Sequence, residues 1–212
     1  MDYLEGIDYQ FEQSGEFLKA GKDCFLLGSF LENIRGKSIL DIGTNTGALL
    51  LYAHAKRAGK LTGIDINQPA LELAQRNLKR YTEDFELACI RVQDFEAGPF
   101  DVIVSNPPFF ESASTKSSSS AISSAMFDDE LPINDLFACI KRLLKDNGSA
   151  FIIYNADRLP EIFKTCDQNK LKITKMQFVH DDCKSAAHRV LLKIKKGPAK
   201  KVQVLEPIFI RK

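Results

Sequence analysis

The sequence predicts an α/β fold: a doubly wound, mostly parallel sheet that ends in an antiparallel C-terminal edge. Three observations predict it. Short apolar runs alternate with segments of helical period along most of the chain, the pattern of successive strand–helix units. A turn with two glycines, Gly43 and Gly47, joins one apolar run to the helical segment after it, as the ligand-binding turn of a doubly wound sheet does. From Lys172 onward apolar runs follow one another with no helical segment between them, the pattern of hairpins closing the sheet.

Residues 1–36 precede the first strand and are expected to form a helical cap. Ser38–Ile42 reads as a strand and Ala48–Arg57 as a helix. Lys60–Ile66 is the next strand, and Pro69–Tyr81 the next helix, with Pro69 suited to a first turn. Phe85–Val92 and Phe100–Val104 are further strands. Asp135–Lys145 reads as a helix stopped by Asn147-Gly148. Ala150–Tyr154 is a strand and Leu159–Asp167 a helix. Lys172–Val179, Arg189–Lys195 and Val202–Ile210 read as late strands joined by hairpins. The serine-dominated stretch Glu111–Ser124 has no periodicity; it predicts a mobile loop over 111–131. Neither a repeat nor a linker divides the chain, so residues 1–212 are expected to form one domain with basic strands over 189–212.

Of the 212 residues, 44% are hydrophobic and 27% charged, values at which a soluble globular domain can bury a sizeable core. No run approaches the ~20 apolar residues of a membrane span, and the N-terminus lacks signal-peptide character, so a cytoplasmic location is expected. Five scattered cysteines (Cys24, Cys89, Cys139, Cys166, Cys183) and three histidines (His54, His180, His188) show no metal-ligand spacing, so neither metal nor disulfide framework is expected. A monomer is expected. Net charge is +1, but residues 189–212 hold eight basic residues against one acidic, leaving −6 on the rest. A basic strip on an acidic body suits a polyanion partner, or a solvated face.

Four motifs carry the chemistry. In Asp41-Ile-Gly-Thr-Asn-Thr-Gly47, Gly43 and Gly47 let a ligand approach the backbone, and the preceding acidic residue suits an amino-bearing ligand. Asp65 ends the second strand, where a carboxylate can accept from two ribose hydroxyls. Asp94 follows the third, where it can accept from an adenine amino group with Phe95 packed nearby. Asn106-Pro107-Pro108-Phe109 follows the fourth. Its prolines stiffen the turn, so the Asn106 oxygen and a proline carbonyl form a rigid pair of acceptors. A planar amino group can donate both hydrogens to that pair and aim its nitrogen at a methyl donor, with Phe109 stacked on its ring.

These motifs resemble those of class I S-adenosyl-methionine-dependent methyltransferases acting on amino groups. Asp23-Cys-Phe-Leu-Leu27, Asn106-Pro-Pro-Phe-Phe110, Phe178-Val-His180, Lys195-Lys-Gly197 and Glu206-Pro-Ile-Phe-Ile210 narrow the resemblance to the bacterial tRNA1(Val) adenine-37 N6-methyltransferase family. The resemblance implies a Rossmann-like, seven-stranded sheet. It implies a cofactor held by Asp41, Gly43, Thr44, Asn45, Gly47, Asp65, Ile66, Asp94, Phe95 and Asn106. It implies a target adenine beside the tRNA anticodon, held by Asn106, Pro107, Pro108 and Phe109. Asn45 stands where glycine is usual, and serines fill 116–124 where arginines and a histidine are usual. An rRNA guanine amino group or a protein glutamine amide would use a related motif, and a catalytically silent RNA-binding protein is the third reading. Lys193, Lys195, Lys196, Lys200 and Lys201 are the expected RNA contacts, projected from a sheet edge by the Gly197-Pro198 turn.

Overall fold

The computed structural model describes residues 2–15, 20–107, 131–198 and 201–211. Its centre is β3 (Ile39–Ile42), hydrogen-bonded in parallel to β4 (Leu61–Asp65) on one side and β6 (Phe100–Ser105) on the other. All four residues of β3 are buried, because helices cover both faces of a parallel sheet and leave no side chain for water. From β3 the chain runs through α2 (Ala48–Ala55) to β4, then through α3 (Gln68–Lys79) to β5 (Phe85–Cys89) at the far edge. It returns to β6 and continues through α4 (Ile133–Leu143), β7 (Leu144–Asn155) and α5 (Leu159–Gln168) to β8 (Leu171–His180). Right-handed crossovers running outward in opposite directions put α2 and α3 on one face, α4 and α5 on the other. The reversal of direction lies between β3 and β6, and ligands bind at such a switch point.

Local chemistry accounts for the helices near that point. α2 is almost wholly apolar and has six buried residues, as a helix packed on several sides must be. α3 begins where the Asn67 side chain accepts from the Ala70 amide at 3.2 Å, with Pro69 in its first turn.

Four expectations are corrected. The N-terminal cap is not helical throughout: β1 (Asp2–Tyr3) pairs antiparallel with β2 (Gln10–Phe11) before the single helix α1 (Lys22–Phe30). Asn147-Gly148 does not stop a helix. α4 ends at Leu143 and β7 follows at once, with a register shift between the Phe100 and Val102 pairings. A side chain at Gly148 would meet the Asp101 carbonyl at 2.9 Å, so glycine there serves the close approach of two strands. The antiparallel strand is not the edge. β9 (Ala187–Lys196) lies between β7 and β8, antiparallel to both. The edge is formed by β10 (Gln203–Val204) and β11 (Ile208–Phe209), which pair with β8 in parallel and bring the sheet to nine strands rather than seven. After the turn at Gly197 the chain runs back alongside β8 in the direction β8 itself takes. The expected mobile loop lies outside the described residues except for Leu131.

α1 and α2 meet at Gly28. A Cβ there would lie 2.4 Å from Tyr52 Cγ, and the Tyr52 ring is buried with its hydroxyl donating to the Glu5 carbonyl at 2.8 Å. The ring root cannot retreat. Gly28→Ala should therefore cost about 1–3 kcal/mol through overpacking, against the ~1 kcal/mol that alanine normally adds to a helix interior. Urea unfolding checks this, and a more stable variant would contradict the close packing.

Candidate functional site

The carboxyl ends of β3, β4 and β6 stand side by side. The turn leaving β3 reverses twice through left-handed backbone: Gly43 has φ 74°, Asn45 φ 48° and Gly47 φ 83°. Asparagine tolerates that region better than most residues, which explains how Asn45 stands in a glycine's place. The turn is pinned to β4, since the amides of Gly43 and Thr44 donate to the Ile64 carbonyl at 2.9 and 3.0 Å. A Cβ at Gly43 would meet nothing within 4 Å, so open space faces the backbone there. A Cβ at Gly47 would press on Ala74 of α3 at 3.2 Å; that glycine serves packing as well as conformation.

Asp41 is fully buried. Its Oδ2 accepts from Thr44 Oγ1 at 2.7 Å, and its Oδ1 is enclosed with no partner among the described residues. Loss of solvent, with the charge of Asp65 adding to it, pushes the Asp41 carboxyl up to about 7. Asp65 bridges three elements. Its Oδ2 accepts from the Asn45 amide at 2.8 Å and its Oδ1 from the Asn67 amide at 2.9 Å, and burial raises its carboxyl. A carboxylate oxygen has two lone pairs, so each can accept once more. Ile66, next along, is 46% exposed, an apolar surface at the mouth of the crevice.

Asn106 follows β6, whose last residue, Ser105, donates from Oγ to the Ile42 carbonyl at 2.8 Å. Asn106 Nδ2 donates to Cys24 Sγ at 3.6 Å, while Asn106 Oδ1 is enclosed and has no partner among the described residues. Pro107 is buried; Pro108 and Phe109 lie outside the described residues. The structure thus brings Asp41, Thr44, Asn45, Asp65 and Asn106 together at the carboxyl ends of three adjacent strands. Asp94 lies farther out and exposed, in a turn five residues beyond the end of β5. Phe95 does not face that crevice: its ring is 8% exposed and packs on Phe100 at 6.3 Å between centroids. Arg142 holds this segment by donating to the carbonyls of Phe95, Val92 and Gln93 at 2.6, 2.9 and 3.2 Å.

Two site residues escape sequence reasoning. Cys24 reaches Asn106 from 82 positions away; the motif Asp23-Cys-Phe-Leu-Leu27 marked its segment, but nothing in that motif announced the contact with Asn106. Asn77 is fully buried; its Nδ2 donates to the carbonyls of Thr46 and Glu12, each at 3.0 Å, and its Oδ1 accepts from the Glu12 amide at 2.6 Å. It ties the N-terminal segment to the glycine turn. Its signal was an asparagine three residues after Ala74 on the apolar stripe of α3.

The lysines lie elsewhere than expected. β9 is internal, so Lys193, Lys195 and Lys196 do not project from a sheet edge. Lys193 pairs with Glu32 at 2.7 Å with its side chain 13% exposed, and lies over the Phe151 ring. Lys196 pairs with Asp146 at 3.1 Å. Desolvation and the charges of Lys193, Lys37 and Lys172 lower the Lys195 ammonium. Leu171 stands opposite Lys196, which places this group at the amino end of β8, across the sheet from Asn106. Lys201 is exposed, and Lys200 lies outside the described residues. Among the described residues no cluster of His, Cys, Asp and Glu could hold a metal ion, and no helix could cross a membrane.

With this geometry in place, comparison with known proteins is informative. The model of the methyltransferase small domain matches residues 17–169. A tRNA1(Val) (adenine(37)-N6)-methyltransferase of Phocaeicola vulgatus is 30% identical over 181 residues, covering 84% of this chain and 77% of that protein. One of a Flavobacteriaceae bacterium is 28% identical over 203 residues, covering 94% and 85%. The crystal structure of an S-adenosylmethionine-dependent methyltransferase from Clostridium acetobutylicum superposes with a TM-score of 0.60 at 14% identity, covering 83% of this chain and 90% of that one; it shares the fold.

The raised carboxyl of Asp41 has a consequence for the protein without ligand. An acid that binds its proton more tightly when folded than when unfolded makes stability fall as pH rises from its ordinary range toward its folded value. Between the usual carboxylate range and about pH 7 the protein should lose stability through this group. Asp41→Asn should remove that part of the slope, so the variant gains on the parent as pH rises from 4 to 7. Denaturation curves at both pH values test this; parallel pH profiles would contradict the burial of a charged Asp41.

Proposed function

The chain belongs to the methyltransferase small domain family and to the family of tRNA1(Val) (adenine(37)-N6)-methyltransferases, and from that premise we propose that it methylates the N6 amino group of an adenine beside the anticodon of a tRNA, using S-adenosylmethionine. The observation that carries the reading is Asn106 Oδ1, an enclosed acceptor without a partner among the described residues, one residue past a central strand and directly before Pro107. A buried polar atom left unpaired costs about 1–3 kcal/mol, so it fits a site whose donor arrives with a ligand.

The residues present fit the cofactor. Asp41 Oδ1, enclosed and unpartnered among the described residues, is an acceptor for an amino group, and Gly43 leaves the backbone open beside it. Asp65 would accept from ribose hydroxyls, and the exposed Ile66 would offer an apolar face to adenine. Asp94, exposed on its turn, can accept from the adenine amino group. The cofactor supplies an electrophilic methyl group on a sulfonium that is already a good leaving group.

What remains for the protein is to hold the target nitrogen in line. The Asn106 oxygen and the Pro107 carbonyl accept the two amino hydrogens and fix the plane of the base. An adenine amino nitrogen is a poor nucleophile while its lone pair is conjugated. Two acceptors on its hydrogens favour the positive charge that grows there during transfer, and they need no general base to do so. The adenine must leave its stack to reach this depth. Phosphate contacts by Lys195 or Lys201 would meet the RNA at the amino end of β8, away from the loop that carries the target.

Incubation of total tRNA with methyl-labelled S-adenosylmethionine, followed by nucleoside analysis, tests the proposal; label in any nucleoside other than N6-methyladenosine contradicts it. Asp65→Ala should weaken cofactor binding by about 1.5–3 kcal/mol, the worth of hydrogen bonds to a charged acceptor; unchanged calorimetric affinity would remove Asp65 from the site. Asn106→Ala should lower kcat by at least about tenfold and leave cofactor affinity within twofold, whereas loss of affinity with normal turnover at saturation would reverse the assignment.

A further inference from the structure

An asparagine amide is nearly symmetric, and turning it over exchanges an acceptor for a donor. For Asn106 the exchange is decisive, since its oxygen and not its nitrogen must face an incoming amino group. Nothing local to Asn106 fixes that choice: its neighbours on the chain are Ser105, whose hydroxyl is engaged with Ile42, and Pro107, which has no N–H. We infer that Cys24 is a positioning residue that sets the Asn106 amide with its oxygen toward the substrate. The inference rests on the assignment of Asn106 to the target amino group.

Cys24 sits in the first turn of α1, and its sulfur accepts from Asn106 Nδ2 at 3.6 Å. With the Asn106 amide N–H directed at it the sulfur acts as an acceptor, and an acceptor on that side holds the nitrogen there and the oxygen on the other. Desolvation holds the thiol far up, at about 12, so it stays neutral and places no anion beside the developing cation.

The start of α1 is itself anchored across the site. Arg189 Nε donates to Asp23 Oδ2 at 3.1 Å and its Nη1 to Asn155 Oδ1 at 2.6 Å. Asp23 precedes Cys24, and Asn155 ends β7, the strand beside the one that leads into Asn106. The same clasp therefore ties the start of α1 to β9 and to the end of β7, and Leu26 and Leu27 are buried in the next turn of the helix.

Two variants of the full chain test this. Cys24→Val keeps an apolar side chain of similar size and removes the acceptor; Cys24→Ser puts an oxygen acceptor in the sulfur's place. The valine variant should lower kcat about tenfold with the cofactor Kd and Tm near those of the parent, and serine should recover most of the loss. Independently of activity, the side-chain 15N–1H2 signals of Asn106, assigned by their loss in Asn106→Asp, should shift and exchange faster with solvent in the valine variant and return toward the parent in the serine variant. An unmoved Asn106 signal, an unchanged kcat, or a fall in kcat matched by equal losses in cofactor affinity and Tm overturns the inference. Should the parent methylate no RNA, the proposed reaction fails, and the amide signals alone still decide whether Cys24 holds Asn106.

Discussion

Ile42 stands opposite Ile64 on one side and Ser105 on the other, and every distance in the crevice follows from that register. It puts the turn after β3, the carboxylate ending β4 and the asparagine after β6 on three strands spaced ~4.8 Å apart. A slip of one residue would turn the apolar set of a strand to its opposite face. Because β3 is buried on both faces, the cost of such a slip is the loss of a large part of the core, so the register is held by burial far more than by the site itself. The bonds from the Gly43 and Thr44 amides to Ile64, and from Ser105 Oγ to Ile42, tie the three strand ends together where the ladder stops.

On that frame the protein sustains several polar groups in costly surroundings. Asp41 is fully buried with one oxygen unpaired among the described residues, Asn106 carries an enclosed acceptor, and Asp65 is held by backbone amides. A well-packed core can carry such groups because its neighbours cannot relax around them. These groups gather at the carboxyl ends of three strands, as expected for a site that gains its missing partners on binding.

Much of this was legible in the chain. The helices α2 and α3, the central strands and the glycine turn were evident from periodicity and from Gly43, Gly47 and Pro69, and the side chains of Asp65 and Asn106 could be placed because each stands at the end of a strand. The misreadings concern which partner each residue meets. Asn147-Gly148 carries the composition of a helix stop, yet serves a bulge beside Asp101. The basic tail suggested an exposed polyanion strip, yet Lys193 is drawn onto Glu32 and the Phe151 ring. Phe95 stood beside an acidic residue in sequence, and packs away from it on Phe100. For Gly148 and Lys193 the partner came from a segment remote along the chain, whereas Phe95 found its partner five residues on, at the start of the next strand.

What the sequence by itself determined was set by short-range physics: the order of strands and helices from β3 to β9, the backbone freedom of the glycine turn, and the chemical family those motifs resemble. Only the tertiary structure decided that β9 enters between β7 and β8, that Asn77 joins the N-terminal segment to the glycine turn, and that Cys24 meets Asn106. Hydrophobic periodicity reports which face of an element is buried, because that depends on neighbours three or four residues away. It does not report which element covers that face, because that choice is made among all the buried surfaces of the chain at once.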